Sequence, residues 1–162
     1  MNKWAIYNVI LVIAVFILGI LISNLLNDNL LYSPFSNQEV IEQNSPNNWI
    51  SENKIHVYED YVMLDIGESN FIGFEDTGSM DPTFDSEANA LEIIPKSASD
   101  ITTGDIISFK AKDGKTYVHR VIQTGIDSEG NYFITKGDNN PNPDPYKIYF
   151  SDVVGVVVAV FY

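Results

Sequence analysis

Hydrophobic and polar positions divide the chain into three parts. Residues 4–26 are apolar apart from Asn8 and the pair at 23–24, and about 20 such residues are enough for a helix to cross a bilayer. Residues 27–53 are rich in Asn, Ser and Pro and show no hydrophobic period, which is typical of a polar linker or stalk. Residues 54–162 contain short apolar runs separated by Gly and Asp turns, which predict a mostly β domain.

Turns indicate how the strands of this domain are connected. The Lys-Asp-Gly-Lys turn at 112–115 separates the strand-like runs 105–110 and 117–122 and predicts a hairpin, and a second turn at 127–131 predicts another. The run 153–162 is rich in Val and far too short to cross a membrane as a helix. We therefore predict that it forms a buried strand.

The first apolar segment can be interpreted as an uncleaved anchor or as a cleaved signal peptide. Its apolar stretch exceeds the usual length of about 7–15 residues in signal peptides, and residues 24–27 offer no small-x-small cleavage site. Trp4 and Tyr7 suit a membrane interface. We therefore predict one transmembrane helix, which places the protein in the cell membrane. Since Lys3 lies on the short side of this helix, we expect a cytoplasmic N-terminus and an extracellular domain.

Charge and cysteine content narrow the function classes. The formal net charge is −13, and Lys3 is the only charged residue before Asp28, so the acidic surplus lies in the linker and the domain. Such a surface repels nucleic acid, which we exclude as a partner. A well-solvated or halophilic surface would be equally acidic without any charge-specific function. Because the 162-residue chain has no cysteine, disulfides and cysteine-ligated metals are excluded.

Three separate segments carry residues that together can activate a hydroxyl nucleophile. Ser79 lies in a glycine-containing turn, His119 in a strand-like run, and Asp138 and Asp144 in a loop rich in Pro and Asn. An imidazole has an unperturbed pKa of about 6.5, so it can take a hydroxyl proton at neutral pH and return it to a leaving amine. One of the two carboxylates would orient the imidazole, and the sequence leaves open which. Taken singly, each residue is better explained by a structural role.

Residues next to Ser79 complete the candidate site. The Ser79 backbone N–H and the Thr77 hydroxyl are the predicted oxyanion donors, and we predict that Met80 and Pro82 contact the substrate. As an alternative, the carboxylates at 138 and 144 would belong to a weak calcium-binding loop at 137–144. Since the EF-hand pattern is absent, we predict no metal, and no other cofactor is indicated.

Four motifs, in this order, resemble those of the type I signal peptidases, specifically the archaeal and endoplasmic-reticulum branch. They are Gly-Ser-Met-Asp-Pro-Thr at 78–83, Thr-Gly-Asp-Ile-Ile-Ser-Phe at 103–109, Tyr-Val-His-Arg-Val at 117–121 and Thr-Lys-Gly-Asp-Asn-Asn at 135–140. The bacterial branch has a lysine base where this chain has His119, so the histidine favours the other branch. The predicted N-terminal anchor also suits the family.

The resemblance implies a membrane-bound serine endopeptidase on a signal-peptidase-like β-rich domain, with Ser79 as nucleophile and His119 as general base. Implied substrates are signal peptides of exported preproteins, cleaved after small residues at positions −1 and −3. The bilayer and the protein translocation machinery are the further partners to be expected. An extended substrate can join a sheet edge while shallow pockets select its side chains. Two alternatives remain. The first is a related protease that cleaves another membrane or exported protein, or that cleaves itself. The second is an anchored β domain that binds partners without catalysis.

Overall fold

The N-terminal part of the chain is helical. The computed structural model describes residues 2–30 and 43–162, and in the first range the side chains at 5, 6, 9, 19–21 and 23–30 are not among those described. Helix α1 spans Lys3–Leu30 and covers the segment predicted as an anchor. Among the residues described in full, no helix is long and apolar enough to cross a membrane. Residues 27–30 of the predicted linker form the end of α1, and residues 31–42 of it lie outside the described residues.

The chain forms two compact units, Met1–Ile41 and Glu42–Tyr162, and the second contains the described strands. A two-stranded sheet pairs β1 with β2, and a seven-stranded antiparallel sheet has the order β3-β4-β9-β5-β6-β7-β8. The prediction of a mostly β domain is confirmed. The strands are β1 Ile55–Val57, β2 Val62–Leu64, β3 Ser69–Gly73, β4 Asn89–Ile93, β5 Ile106–Lys110, β6 Thr116–Asp127, β7 Gly130–Lys136, β8 Ile148–Tyr149 and β9 Val153–Phe161.

Turn residues produce the two hairpins that the sequence predicts. Strands β5 and β6 pair around Gly114, whose φ of +82° lies in the left-handed region that favours glycine. Strands β6 and β7 pair up to Asp127 opposite Gly130, where the second predicted turn lies. The predicted C-terminal strand is β9, which is an interior strand of the large sheet between β4 and β5. These three predictions are confirmed.

Both faces of the large sheet bury apolar side chains. Strand β5 shows this most directly, because Ile107 and Phe109 belong to one apolar cluster and Ile106 to the other. The first four residues of β5 are consequently all buried, as expected for a strand covered on both sides. Met80, next to Ser79, belongs to the cluster of Ile106. Ser108 projects from the same side of the strand as Ile106, since side chains alternate along a strand.

The compact unit begins before the predicted boundary at residue 54. Trp49 packs against the cluster of Phe109, and its indole Nε1–H donates a hydrogen bond of 3.0 Å to Asp105 Oδ1. The backbone N–H of Asn47 donates to the same oxygen at 2.8 Å. Arg120 Nη1 donates to the Asn44 carbonyl at 3.1 Å. Residues 43–53, which we predicted to be linker, are therefore part of the domain unit.

Candidate active site

Ser79 lies in a tight turn between β3 and β4. Gly78 has a φ of +60°, a conformation that glycine adopts without steric cost. Ser79 itself is half-buried. Met80 is buried beside Phe84, so the residue after the serine anchors the turn to an apolar cluster. The Asp81–Pro82 peptide bond is cis.

The loop 137–140 supports this turn through backbone contacts. The Asn139 backbone N–H donates to the Ser79 carbonyl at 3.0 Å, and Asn139 Nδ2 donates to the Gly78 carbonyl at 2.9 Å. A Cβ at Gly137 would lie 2.6 Å from the Ser79 carbonyl oxygen. Glycine is therefore required at 137 for the loop to approach the serine so closely.

His119 and Asp144 form a hydrogen-bonded pair in the site. His119 lies on β6 and is 6 % exposed, with its ring edge-on to Phe109. Its Nδ1 lies 2.7 Å from Asp144 Oδ2. Since an ionised carboxylate only accepts hydrogen bonds, Nδ1 carries the proton and donates. Nε2 is then the ring nitrogen that can accept a proton from a hydroxyl.

Thr135 holds Asp144 in place. Its Oγ1 donates to the same carboxylate oxygen, Asp144 Oδ2, at 2.6 Å, and its carbonyl accepts a 2.8 Å hydrogen bond from the Asp144 backbone N–H. Thr135 is completely buried on β7. The carboxylate that faces His119 is thus fixed by a side-chain and a backbone bond.

Asp138 is the other carboxylate that the sequence offers as the partner of His119, and it has a different partner in the structure. Arg120 donates to both of its oxygens, from Nε at 2.7 Å and from Nη2 at 2.7 Å, and Thr83 Oγ1 donates at 2.6 Å. Burial favours the neutral acid, but the hydrogen bonds from Arg120 and Thr83 outweigh it and hold the pKa of Asp138 below its usual value. Asp138 therefore links the serine turn to the strand of the histidine, and the structure pairs His119 with Asp144.

Ser79 and His119 line the same groove, which has a volume of about 910 Å³. In the described part of the chain no hydrogen bond joins them directly; Ser79 Oγ lies 3.0 Å from Thr77 Oγ1. The Ser79 backbone N–H also donates to Thr77 Oγ1, at 3.3 Å. The two predicted oxyanion donors are thus adjacent to the serine hydroxyl and bonded to each other.

The two residues predicted to contact substrate differ in position. Met80 lines the groove, and its Sδ accepts the backbone N–H of Asp138 at 3.5 Å. Pro82 is exposed and is not among the residues that line the groove. Within residues 2–30 and 43–162, no cluster of three or more side chains is arranged to hold a metal ion.

No local pattern in the sequence predicts a role for Thr135, Asn139 or Arg120, although all three support the site. Their only signal was membership of the motifs at 117–121 and 135–140. Each of them contacts either a residue that is distant in the sequence or a backbone carbonyl. The residue type alone therefore does not reveal the contact.

Comparisons of the chain with protein-family models, with curated proteins and with solved structures find no match.

Proposed function

We propose that this chain is a membrane-anchored serine endopeptidase of the signal-peptidase type, which removes signal peptides from exported preproteins after small residues at −1 and −3. The observation that carries the proposal is that His119, whose Nδ1 lies 2.7 Å from Asp144 Oδ2, lines the same groove as Ser79. A nucleophile, a base and a group that orients the base are the parts that serine peptidases require.

In this proposal Ser79 Oγ turns from Thr77 toward His119 and attacks the scissile carbonyl carbon. His119 Nε2 takes the hydroxyl proton as the new C–O bond forms. The imidazolium is stabilised by Asp144, and it then gives its proton to the leaving amine as the peptide C–N bond breaks. In the second half-reaction His119 Nε2 takes a proton from water as the water oxygen attacks the acyl carbon, and the imidazolium returns this proton to Ser79 Oγ as the ester C–O bond breaks.

The negative oxygen of the tetrahedral intermediate needs donors that already point toward it. The Ser79 backbone N–H and the Thr77 hydroxyl are adjacent to the nucleophile, and the N–H donates to Thr77 Oγ1. A substrate carbonyl would replace this internal bond. Loss of one such donor typically lowers kcat by about 10²–10³-fold.

Edge strand β3 supports the proposed mode of substrate binding. Among the residues that the structure describes it pairs only with β4, and its residues 70–73 line the groove that contains Ser79. An extended peptide can add to such an edge through backbone hydrogen bonds while its side chains enter pockets. In this proposal α1 is the anchor, the N-terminus is cytoplasmic, and the peptidase acts outside the cell on preproteins delivered by the translocation machinery.

The substrate class is tested with the full chain in detergent and a purified preprotein. The precursor carries Ala at −1 and −3, and matched precursors carry Leu at one of these positions. We expect cleavage of the first only, with the new N-terminus mapped by mass spectrometry. Cleavage that ignores both positions would remove signal-peptide processing and leave a protease of different specificity.

A further inference from the structure

Two buried polar side chains lie in the floor of the groove and are not used by the proposed chemistry. Glu92 on β4 and Ser108 on β5 line the groove, and each is 1 % exposed. Neither Glu92 Oε1 nor Ser108 Oγ has a hydrogen-bond partner among the described residues. We refer to these two side chains as the Glu92–Ser108 pair.

Strand β9 makes the space for this pair. It lies between β4 and β5, and its Gly155 is directly opposite Ser108. A Cβ at Gly155 would lie 2.9 Å from both Cβ and Oε2 of Glu92. The absence of a side chain at 155 therefore lets the Glu92 carboxyl group lie over β9, on the side of the sheet that carries Ala90 and Ile106.

Unpaired polar atoms in such a place are unusual. Buried polar groups are nearly always hydrogen-bonded, and those that are not cost free energy that a bound partner can recover. Burial raises the pKa of Glu92, because the charged carboxylate loses its hydration in the interior. The carboxyl group can accept a hydrogen bond in either state, because the neutral acid keeps its carbonyl oxygen.

We propose that the Glu92–Ser108 pair is a specificity subsite that binds a substrate side chain carrying a hydrogen-bond donor, such as Ser, Thr or Asn. Walls from Ile72 and Val118, which also line the groove, enclose the apolar part of that side chain. A site built to hydrogen-bond a hydroxyl discriminates strongly against the analogue without one, because its own polar atoms then stay unpaired. The inference rests on the proposed function in one respect, that the groove binds an extended peptide.

Thr and Val are nearly isosteric, so they give the sharpest test. The full chain in detergent is assayed with peptides that carry Thr or Val at one position at a time on either side of the cleavage site. At one position we expect kcat/KM to be about tenfold or more higher for Thr, which corresponds to one hydrogen bond to a buried carboxyl group. This preference disappears in Glu92→Leu and weakens in Ser108→Ala. It persists in Glu92→Gln, which keeps the acceptor oxygen, and in Glu129→Leu, a matched change in an exposed turn.

Binding separates this inference from the proposed function. Fluorescently labelled Thr and Val peptides are titrated against Ser79→Ala protein with and without Glu92→Leu. Tighter binding of the Thr peptide that depends on Glu92 supports the subsite even if the wild type cleaves nothing, in which case the proposed function alone fails.

Equal affinity and equal cleavage of both peptides at every position would overturn the subsite. A preference for Thr that survives in both Glu92→Leu and Ser108→Ala would overturn it as well. Thermal melts of each variant identify those that fail to fold. If Glu92→Leu is one of them, the test rests on the two other variants: the preference for Thr must persist in Glu92→Gln and weaken in Ser108→Ala.

Discussion

Replacing Asp144 with Asn removes the charge from the histidine's partner with little change in shape. Asp144 Oδ2 accepts two hydrogen bonds, from His119 Nδ1 at 2.7 Å and from Thr135 Oγ1 at 2.6 Å. In the variant this position holds either the amide oxygen or the amide nitrogen. The backbone bond between residues 144 and 135 is unaffected, so the side chain stays opposite the imidazole.

The two orientations of the amide set the limits of the effect. If the oxygen faces His119, both hydrogen bonds persist but the bond to the imidazolium is no longer charge-assisted, a loss of about 1–1.5 kcal/mol or roughly tenfold in kcat. If the nitrogen faces His119, the proton moves to Nε2, which can then no longer act as the base, and the loss approaches about 10⁴-fold. The Thr135 hydroxyl both donates and accepts, so it permits either orientation. We therefore expect kcat to fall by at least about tenfold and by at most about 10⁴-fold.

Asp138→Asn is the matched control, because it makes the same chemical change six residues earlier in the chain. The Asp138 side chain is 4 % exposed and Arg120 binds both of its oxygens, so its loss leaves a buried guanidinium without a counter-charge. Breaking such a pair typically costs about 3–5 kcal/mol of the free energy of unfolding. Asp144→Asn should thus lower kcat with a nearly unchanged Tm, while Asp138→Asn chiefly lowers Tm. Steady-state kinetics with a signal-peptide substrate and thermal melts measure both. The assignment is refuted if Asp144→Asn loses less than about tenfold in kcat, or if Asp138→Asn loses more while remaining folded.

Three further predictions concern the support of the site. In Gly137→Ala the new Cβ would meet the Ser79 carbonyl at 2.6 Å, so kcat should fall by about 10²-fold, whereas Gly67→Ala, which meets no atom within 4 Å, should be silent. Trp49→Phe removes the indole hydrogen bond to a buried carboxylate and should lower Tm by about 2–4 °C; an unchanged Tm would show that residues 43–53 do not stabilise the domain. The pKa of Asp138 is lower in the folded state than in the unfolded state, where it is near 3.8. The stability that ionised Asp138 contributes is therefore fully present above the unfolded-state pKa and is lost as pH falls through the folded-state pKa. Acid unfolding followed by circular dichroism should therefore be steeper in the wild type than in Asp138→Asn, and equal slopes would contradict this.

Local chemistry explains which parts of the fold were predictable. The hairpin of β5 and β6 follows from a glycine turn between two apolar runs, and β9 from its Val-rich composition, because both signals lie within a few neighbouring residues. The choice between Asp138 and Asp144 was not predictable, since both lie in one Pro- and Asn-rich loop without a period. Only the fold shows that Thr135 and His119 converge on Asp144.

Two-sided burial and long-range contacts account for what sequence reasoning missed. The alternation of Leu91, Glu92 and Ile93 would by itself place the carboxylate in solvent, yet the sheet is covered on both faces and Glu92 lies in its interior. Trp49 lies in a polar segment that is typical of a linker, and its hydrogen-bond partner Asp105 is 56 residues away. No local pattern can reveal such a contact.

Cleavage of a preprotein by wild-type protein beside Ser79→Ala tests the central claim most directly. Ser128→Ala, a change in the exposed turn between β6 and β7, is the control. With all three proteins equally folded in detergent, we predict that wild type and Ser128→Ala release the same mature product and that Ser79→Ala releases none. Equal release of that product by Ser79→Ala, or no release by the folded wild type, would contradict the assignment of this groove as a serine peptidase site.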